Sequence, residues 1–219
     1  KPEWRYGVGY FNRIKEKNSD KFVSMSDDAG APDDVNNGVI AFGANYKAGD
    51  FSIGAIDYYS EDIINIFYAE GKYTFAVGEA SKLTVSMQYS DETSVGDELL
   101  KGTSFDSHQW GAKADLAWGN ATFTGGYTSA GGNANMQNPW SGYPGYTSVQ
   151  VEDFNRDGED AWMLRGAYKF KAVKGLSVYA LYVDGSDPDS PSEYAKNEWD
   201  FNLQWDAPAD SIFKGLMAR

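Results

Sequence analysis

The sequence predicts an all-β chain whose antiparallel strands are joined as up-and-down hairpins. Three observations carry that expectation. Successive runs place apolar or aromatic side chains at every second position, as where Trp162, Leu164, Gly166, Tyr168 and Phe170 alternate with Met163, Arg165, Ala167 and Lys169. Side chains of a strand point alternately to its two faces, so each run builds one apolar and one polar face. The connections alternate between tight turns and long polar segments, as in a chain of hairpins.

The first strand, 4–13, sets Trp4, Tyr6, Val8 and Tyr10 against Arg5 and Arg13, and a long segment, 14–37, follows. Strands at 38–47 and 50–59 flank the turn Lys47–Asp50, with Ile40, Phe42, Ala44 and Tyr46 as the apolar face of the first. A tight link around Ser60–Asp62 leads to 63–75, whose polar face holds Glu70 and Lys72. Val77–Ser81 turns the chain into 82–90, where Leu83, Val85, Met87 and Tyr89 alternate with Thr84, Ser86 and Gln88. After 91–107 come 108–118, with Trp110, Ala112, Ala114, Leu116 and Trp118 against Lys113 and Asp115, and then 120–128 with Thr122 and Thr124 inside the pattern. The longest segment, 129–160, precedes strands at 161–170 and 175–184, joined at Lys171–Gly175. Beyond 185–196, the run 197–206 sets Trp199, Phe201, Leu203 and Trp205 against Glu198, Asp200, Asn202 and Gln204. Asp206–Asp210 leads to a last run at 212–219 that stops in mid-pattern. Single-chain bacterial barrels have even counts, so the odd total of eleven and the unfinished last run read either as a piece of a longer barrel or as a count off by one. The opening at Lys1-Pro2-Glu3 without a signal peptide reads as a processed or cut product.

Composition narrows the function. There are no cysteines and one histidine, His108, so thiol chemistry, histidine triads and multi-histidine metal centres are out, and His108 reads as a surface residue. A net charge of −13 opposes nucleic-acid binding. No segment approaches the ~18 apolar residues of a spanning helix, but barrel strands cross with about 9–11 alternating residues and leave no hydropathy peak. Alternation alone allows either parity: a soluble, ligand-binding barrel with its apolar face inside, or a membrane barrel with it outside. Two features favour the membrane. Short turns and long loops segregate to opposite ends. Trp4, Tyr10, Tyr89, Trp110, Trp118, Trp199 and Trp205 stand at strand ends on the apolar face, where an interfacial girdle belongs.

The string NPWSGYPGYTS at 138–148, followed by DFNRDGED at 153–160, resembles the long loop of OprD-type outer-membrane porins. GDELLKGTSFDSHQWGAKADLAW, AWMLRGAYKF and GLSVYALYVDG look like strands of that family, and the likeness runs from Trp4 to Arg219. It implies a bacterial outer-membrane channel: a monomeric barrel of eighteen strands, about twice this length, of which this chain is a C-terminal portion. It also implies passive diffusion of small carboxylates and amino acids, no enzyme activity and no cofactor. The partners expected are membrane lipid, lipopolysaccharide and the solutes.

The candidate pore lining follows. Basic positions of the polar parity are Arg5, Arg13, Lys72, Lys113, Arg165, Lys169 and Arg219, and acidic ones are Glu70, Asp115, Glu198 and Asp200. A guanidinium binds a carboxylate bidentately, so such a row could hand a carboxylate along a pore. The plainer reading is that acids and bases pair and keep the lumen wet. In 129–160, glycines and prolines fold the chain tightly while Asn138, Pro139, Trp140, Tyr143 and Tyr146 offer packing surface, which makes it a candidate constriction loop. Asp153, Asn155 and Asp157, followed by Gly158, copy the first half of a calcium loop. Leu164 stands where the bidentate Glu belongs, so an acidic turn is the plainer reading and no metal is expected. Adjacent carboxylates such as Glu61-Asp62 point apart and make no glycosidase pair.

Overall fold

Eleven strands form one antiparallel sheet in which each strand lies beside its neighbour in the chain, with no crossover. The computed structural model describes residues 2–140, 144–190 and 192–219. The strands are β1 (Glu3–Phe11), β4 (Val39–Ala48), β5 (Phe51–Ser60), β6 (Ile64–Gly78), β7 (Ser81–Thr93), β8 (Asp106–Trp118), β9 (Ala121–Gly132), β10 (Asp160–Lys169), β11 (Leu176–Gly185), β12 (Lys196–Asp206) and β13 (Met217–Ala218). Tight turns close one end of the sheet, where Gly49 and Gly119 take φ of 60° and 57°, the left-handed region that glycine enters without strain. At the other end only the Ser60–Ile64 link is short.

Three details depart from the sequence reading. The first strand ends at Phe11, so Arg13 falls in a two-residue ribbon, β2 (Arg13–Ile14) with β3 (Val23–Ser24), inside the following loop. That loop also carries a helical turn, α1 (Met25–Ala29). Ser24 caps it by accepting the Asp27 N–H at 2.9 Å while the Asp27 carboxylate accepts the Ser24 N–H, a reciprocal capping box. The last run contracts from 212–219 to β13, two residues paired with Trp205 and Asp206, because Pro208 and the turns after it leave Ile212 to Leu216 no ladder partners.

Burial is inverted relative to a water-soluble sheet. Along β7 the buried side chains are Ser86, Gln88, Ser90 and Glu92, and the exposed ones include Val85, Met87 and Tyr89. The same holds for Ser107 and Gln109 against Trp110 on β8, and for Thr124 and Thr128 against Phe123 on β9. A large continuous apolar face left in the open marks a surface made for lipid. Its ends are aromatic. Trp4 and Tyr46 (ring centroids 4.7 Å apart) stand at the turn end, and at the loop end Trp162 meets Tyr182 edge-on at 5.4 Å while Tyr182 lies tilted against Trp199 at 4.6 Å. On β8, Trp110 and Trp118 bracket Ala112, Ala114 and Leu116. Eight residues at about 3.3 Å each, tilted near 40°, rise roughly 20 Å, close to the height of a lipid-facing band. The parity left open by alternation alone is thus apolar side out.

The inner face is not polar throughout. Near the loop end Ile63, Ile64, Phe105 and Ala31 form one buried cluster, and Phe154, Ala161, Met163, Leu181 and Val183 form another. Both glue loops to the inside of the wall.

Candidate functional site

The connection between β9 and β10 folds back onto the inner face. Its two limbs clip together through Met136 N–H to the Asn155 carbonyl (3.0 Å) and Asp157 N–H to the Asn135 side chain (2.9 Å). The wall then holds it at several heights. The Gln109 amide donates to the Phe154 carbonyl at 3.1 Å, and the Thr128 and Thr147 hydroxyls share a 2.6 Å hydrogen bond. Glu198 accepts the N–H groups of Val151 (3.0 Å) and Glu152 (2.8 Å). Glu92 accepts the Gln137 N–H. Trp140 reaches across to α1 and donates its indole N–H to the Met25 carbonyl at 2.8 Å. Buried backbone groups need partners, and each of these contacts supplies one.

Arg156 and Glu159 lock the returning limb. Arg156 is 7% exposed and Glu159 is fully buried, paired through Nε at 3.0 Å, and Arg156 also donates to the Tyr194 carbonyl at 2.8 Å in the β11–β12 loop. Hydrogen bonds to the Glu159 carboxylate hold the Arg156 guanidinium still more firmly charged, against the opposing effect of its burial. Phe154 beside them takes a left-handed φ of 49° to turn its ring into the wall cluster.

Two inward glycines receive the loop. A Cβ on Gly111 would stand 3.2 Å from the Tyr146 ring, 3.0 Å from Gln88 and 3.1 Å from Thr128. A Cβ on Gly185 would collide with the Glu159 carboxylate and the Phe154 ring. Gly185→Ala is therefore expected to unseat the returning limb and expose 150–160 to trypsin and chymotrypsin in detergent. A digestion pattern identical to that of the parent protein would show that the seat tolerates the methyl.

Tyr146 lies where the loop meets the charged wall. Its hydroxyl donates to Glu70 at 3.0 Å, and its ring lies 4.6 Å from the Lys113 ammonium. Burial first, and the Glu70 carboxylate second, push the Tyr146 phenol well above its ordinary pKa. Lys72 bonds the other Glu70 oxygen at 2.7 Å, and Lys113 stands 3.8 Å from Asp115, which accepts the Thr124 hydroxyl at 2.6 Å. Lys113, Asp115, Arg165, Asp200 and Arg219 surround a recess of about 410 Å³ under Tyr146. A second recess, of about 450 Å³, gathers Arg5, Glu70 and Lys72.

The remaining candidates scatter. Arg5 pairs with Glu3 at 2.9 Å on an exposed stretch, and Lys169 is exposed at the turn end, bonded through its backbone to Asn120. Arg13 lies beyond the wall, against Phe22, Asp27 and Asp33. Arg219 donates to Asn202 at 2.6 Å. Asn138, itself exposed, lines with Pro139 and Trp140 a largely apolar recess of about 400 Å³ that Phe11, Ile56 and Tyr58 share. Tyr143 lies outside the described residues. Asp153 accepts the Ser148 hydroxyl at 2.6 Å, and among the described residues no three acidic or histidine side chains converge as metal ligands. Sequence reading missed Gly111, Gly185, Gln109, Thr128, Phe154, Arg156 and Glu159. For Gly111, Gly185, Gln109 and Thr128 the only signal is a small or polar residue at an inward strand position, and Phe154, Arg156 and Glu159 carry none beyond their place in the long loop.

Comparison with known families decides the identity of this architecture. The model of the outer membrane porins of the OprD family matches residues 5–207. The chain belongs to the OprD family. Among solved structures, Pseudomonas aeruginosa OpdK with vanillate superposes with a TM-score of 0.84 at 21% identity over 98% of this chain and 57% of that one. OccK9 (OpdG) of Pseudomonas aeruginosa gives 0.85 at 18% identity, covering 98% and 56%, and OccAB3 of Acinetobacter baumannii gives 0.82 at 15%, covering 98% and 56%. A comparison with the curated proteins found no match. The chain thus spans somewhat over half the length of these OprD-type structures, and its sheet is part of an outer-membrane β-barrel.

Proposed function

We propose that this OprD-family porin carries small carboxylate-bearing solutes, simple carboxylates and amino acids, by passive diffusion along its charged inner wall. In this reading the loop between β9 and β10 narrows the passage, the complete barrel is monomeric, and lipopolysaccharide covers the loop end of its outer face. One observation carries the solute class. Lys113 and Arg165 both open on the recess under Tyr146, and among the described residues neither has a carboxylate closer than the 3.8 Å of Lys113 to Asp115. Cations whose donors are not taken up by wall acids can offer them to a passing carboxylate, Arg165 bidentately. Vanillate, with which the OpdK structure was solved, is itself a carboxylate. Among the wall acids Glu70 pairs with Lys72, whereas Glu198 spends both oxygens on the loop backbone.

The test is Arg165→Ala in liposome swelling. Carboxylate flux should fall about tenfold relative to a neutral sugar of the same size, as for one lost charge-assisted hydrogen-bond pair. An equal change for both solutes would remove Arg165 from selectivity and this reading with it.

A further inference from the structure

The wall poses an electrostatic problem. A lysine and an arginine beside Glu70, Asp115 and Asp200 in a recess should collapse onto the nearest carboxylate, because charge pairs strengthen as water is excluded. They do not. Each Glu70 oxygen is already taken, one by Lys72 at 2.7 Å and the other by the Tyr146 hydroxyl at 3.0 Å. Asp115 gives its short contact to Thr124, leaving Lys113 at 3.8 Å. Asp200 is cross-strand from Leu181, which pairs with Arg165 in turn, yet no ion pair joins Asp200 to Arg165 among the described residues.

Both cations rest instead on tyrosine faces. The Lys113 ammonium lies 4.6 Å from the Tyr146 ring centroid, and the Arg165 guanidinium carbon lies 4.5 Å from that of Tyr179. Both distances are within cation–π range, with the cation facing the negative side of the ring. The rings cannot follow a cation that leaves. Tyr146 is wedged over Gly111 and tied to Glu70, and Tyr179 packs against the Met163–Leu181 cluster. An aromatic face attracts a cation without neutralising it and without occupying its N–H donors.

We propose that Tyr146 and Tyr179 are positioning residues that cradle Lys113 and Arg165, keeping their donors free and aimed into the recess. One cradle comes from the loop and the other from the wall, so the two cations meet a solute from different sides. Tyr146 has a second task, in that its hydroxyl occupies the Glu70 oxygen that Lys113 would otherwise reach. The proposal rests on the reading that these cations recognise carboxylates, and its test separates the two.

Four variants of the intact protein, Arg165→Ala, Tyr179→Leu, Tyr179→Phe and Tyr146→Leu, are compared in planar bilayers and in liposomes. The readouts are the reversal potential in a potassium benzoate gradient and the ratio of benzoate to neutral-sugar flux. Tyr179→Leu and Tyr146→Leu should each lower the benzoate ratio about threefold, the size of one lost cation–π contact. Both should shift the reversal potential towards cation preference, and Tyr179→Phe should restore the Tyr179→Leu loss because it keeps the ring face. If Arg165→Ala lowers the ratio while the leucine variants leave it unchanged, the cradle is overturned and the carboxylate reading stands. If Phe and Leu at 179 lower it equally, the ring acts through its hydroxyl and the cradle is again overturned. If Arg165→Ala itself leaves the ratio unchanged, the carboxylate reading fails first. A leucine channel that passes sugar normally is folded, so its ratio is interpretable.

Discussion

Arg156→Met is expected to release the inward loop. The substitution keeps an unbranched apolar stem and removes the guanidinium, leaving Glu159 fully buried with its charged partner gone. Breaking one side of a buried ion pair costs about 3–5 kcal/mol, because the remaining charge stays desolvated. Much of that falls on the loop, since Arg156 also ties it to the Tyr194 carbonyl and to Glu193. The barrel wall should survive, held by its strand ladders. The measurable results are rapid proteolytic cutting within 145–160, a rise in single-channel conductance and added current noise. A variant that keeps a quiet parental conductance would show that the loop is held without this pair. The double change Arg156→Met, Glu159→Gln removes the orphaned charge as well, and should recover part of the protection.

The second large effect concerns the two faces of β10. Leu164 sits on the outer face between Trp162 and Tyr168, midway along the apolar band, whereas Ala167 belongs to the inner parity opposite Thr122 and Tyr179. Leu164→Arg should destabilise the folded barrel by about 2–4 kcal/mol, the cost of an arginine facing mid-bilayer lipid. Ala167→Arg, three residues away, should stay within about 0.5 kcal/mol because it enters a wet lumen. Urea unfolding in phospholipid vesicles measures both. Equal costs, or the reverse order, would contradict the assignment of the apolar face to lipid.

Most of the wall was legible because its signal has period two and is repeated. The run 108–118, patterned by Trp110, Ala112, Ala114, Leu116 and Trp118, comes within two residues of the observed bounds of β8, since every outward position must satisfy the same lipid. The final run failed for a cooperative reason. Ile212 to Arg219 carries apolar residues, but a strand exists only where a neighbour offers ladder hydrogen bonds, and β13 finds them only at Trp205 and Asp206. The loop was legible as a length and a composition, not as a set of contacts. Gly111 in a strand looks the same in sequence whether it bends the wall or receives Tyr146, 35 positions later. Arg156 and Glu159 fall within the stretch read as an acidic turn, and only their burial and the reach of Arg156 to the β11–β12 loop make them a lock. Arg165 was a candidate from parity, but the ring that holds it, Tyr179, was invisible as a partner because it lies diagonally across the β10–β11 ladder.

The segregation of tight turns to one end and charged loops to the other also sets a direction in time. The β9–β10 loop alone carries Glu152, Asp153, Arg156, Asp157 and Glu159, and every one of them must cross the bilayer before the sheet can close around it. Ionised side chains cost several kcal/mol each at mid-bilayer, whereas Gly49 and Gly119 stand in turns too small to carry such a load. Once the loop has crossed and clipped to the wall, returning it would mean dehydrating Glu152, Asp153 and Asp157, which keep part of their surface open, while also breaking the buried Arg156–Glu159 pair. The topology therefore works as a one-way ratchet: the charges that make the loop costly to carry across also make it costly to bring back.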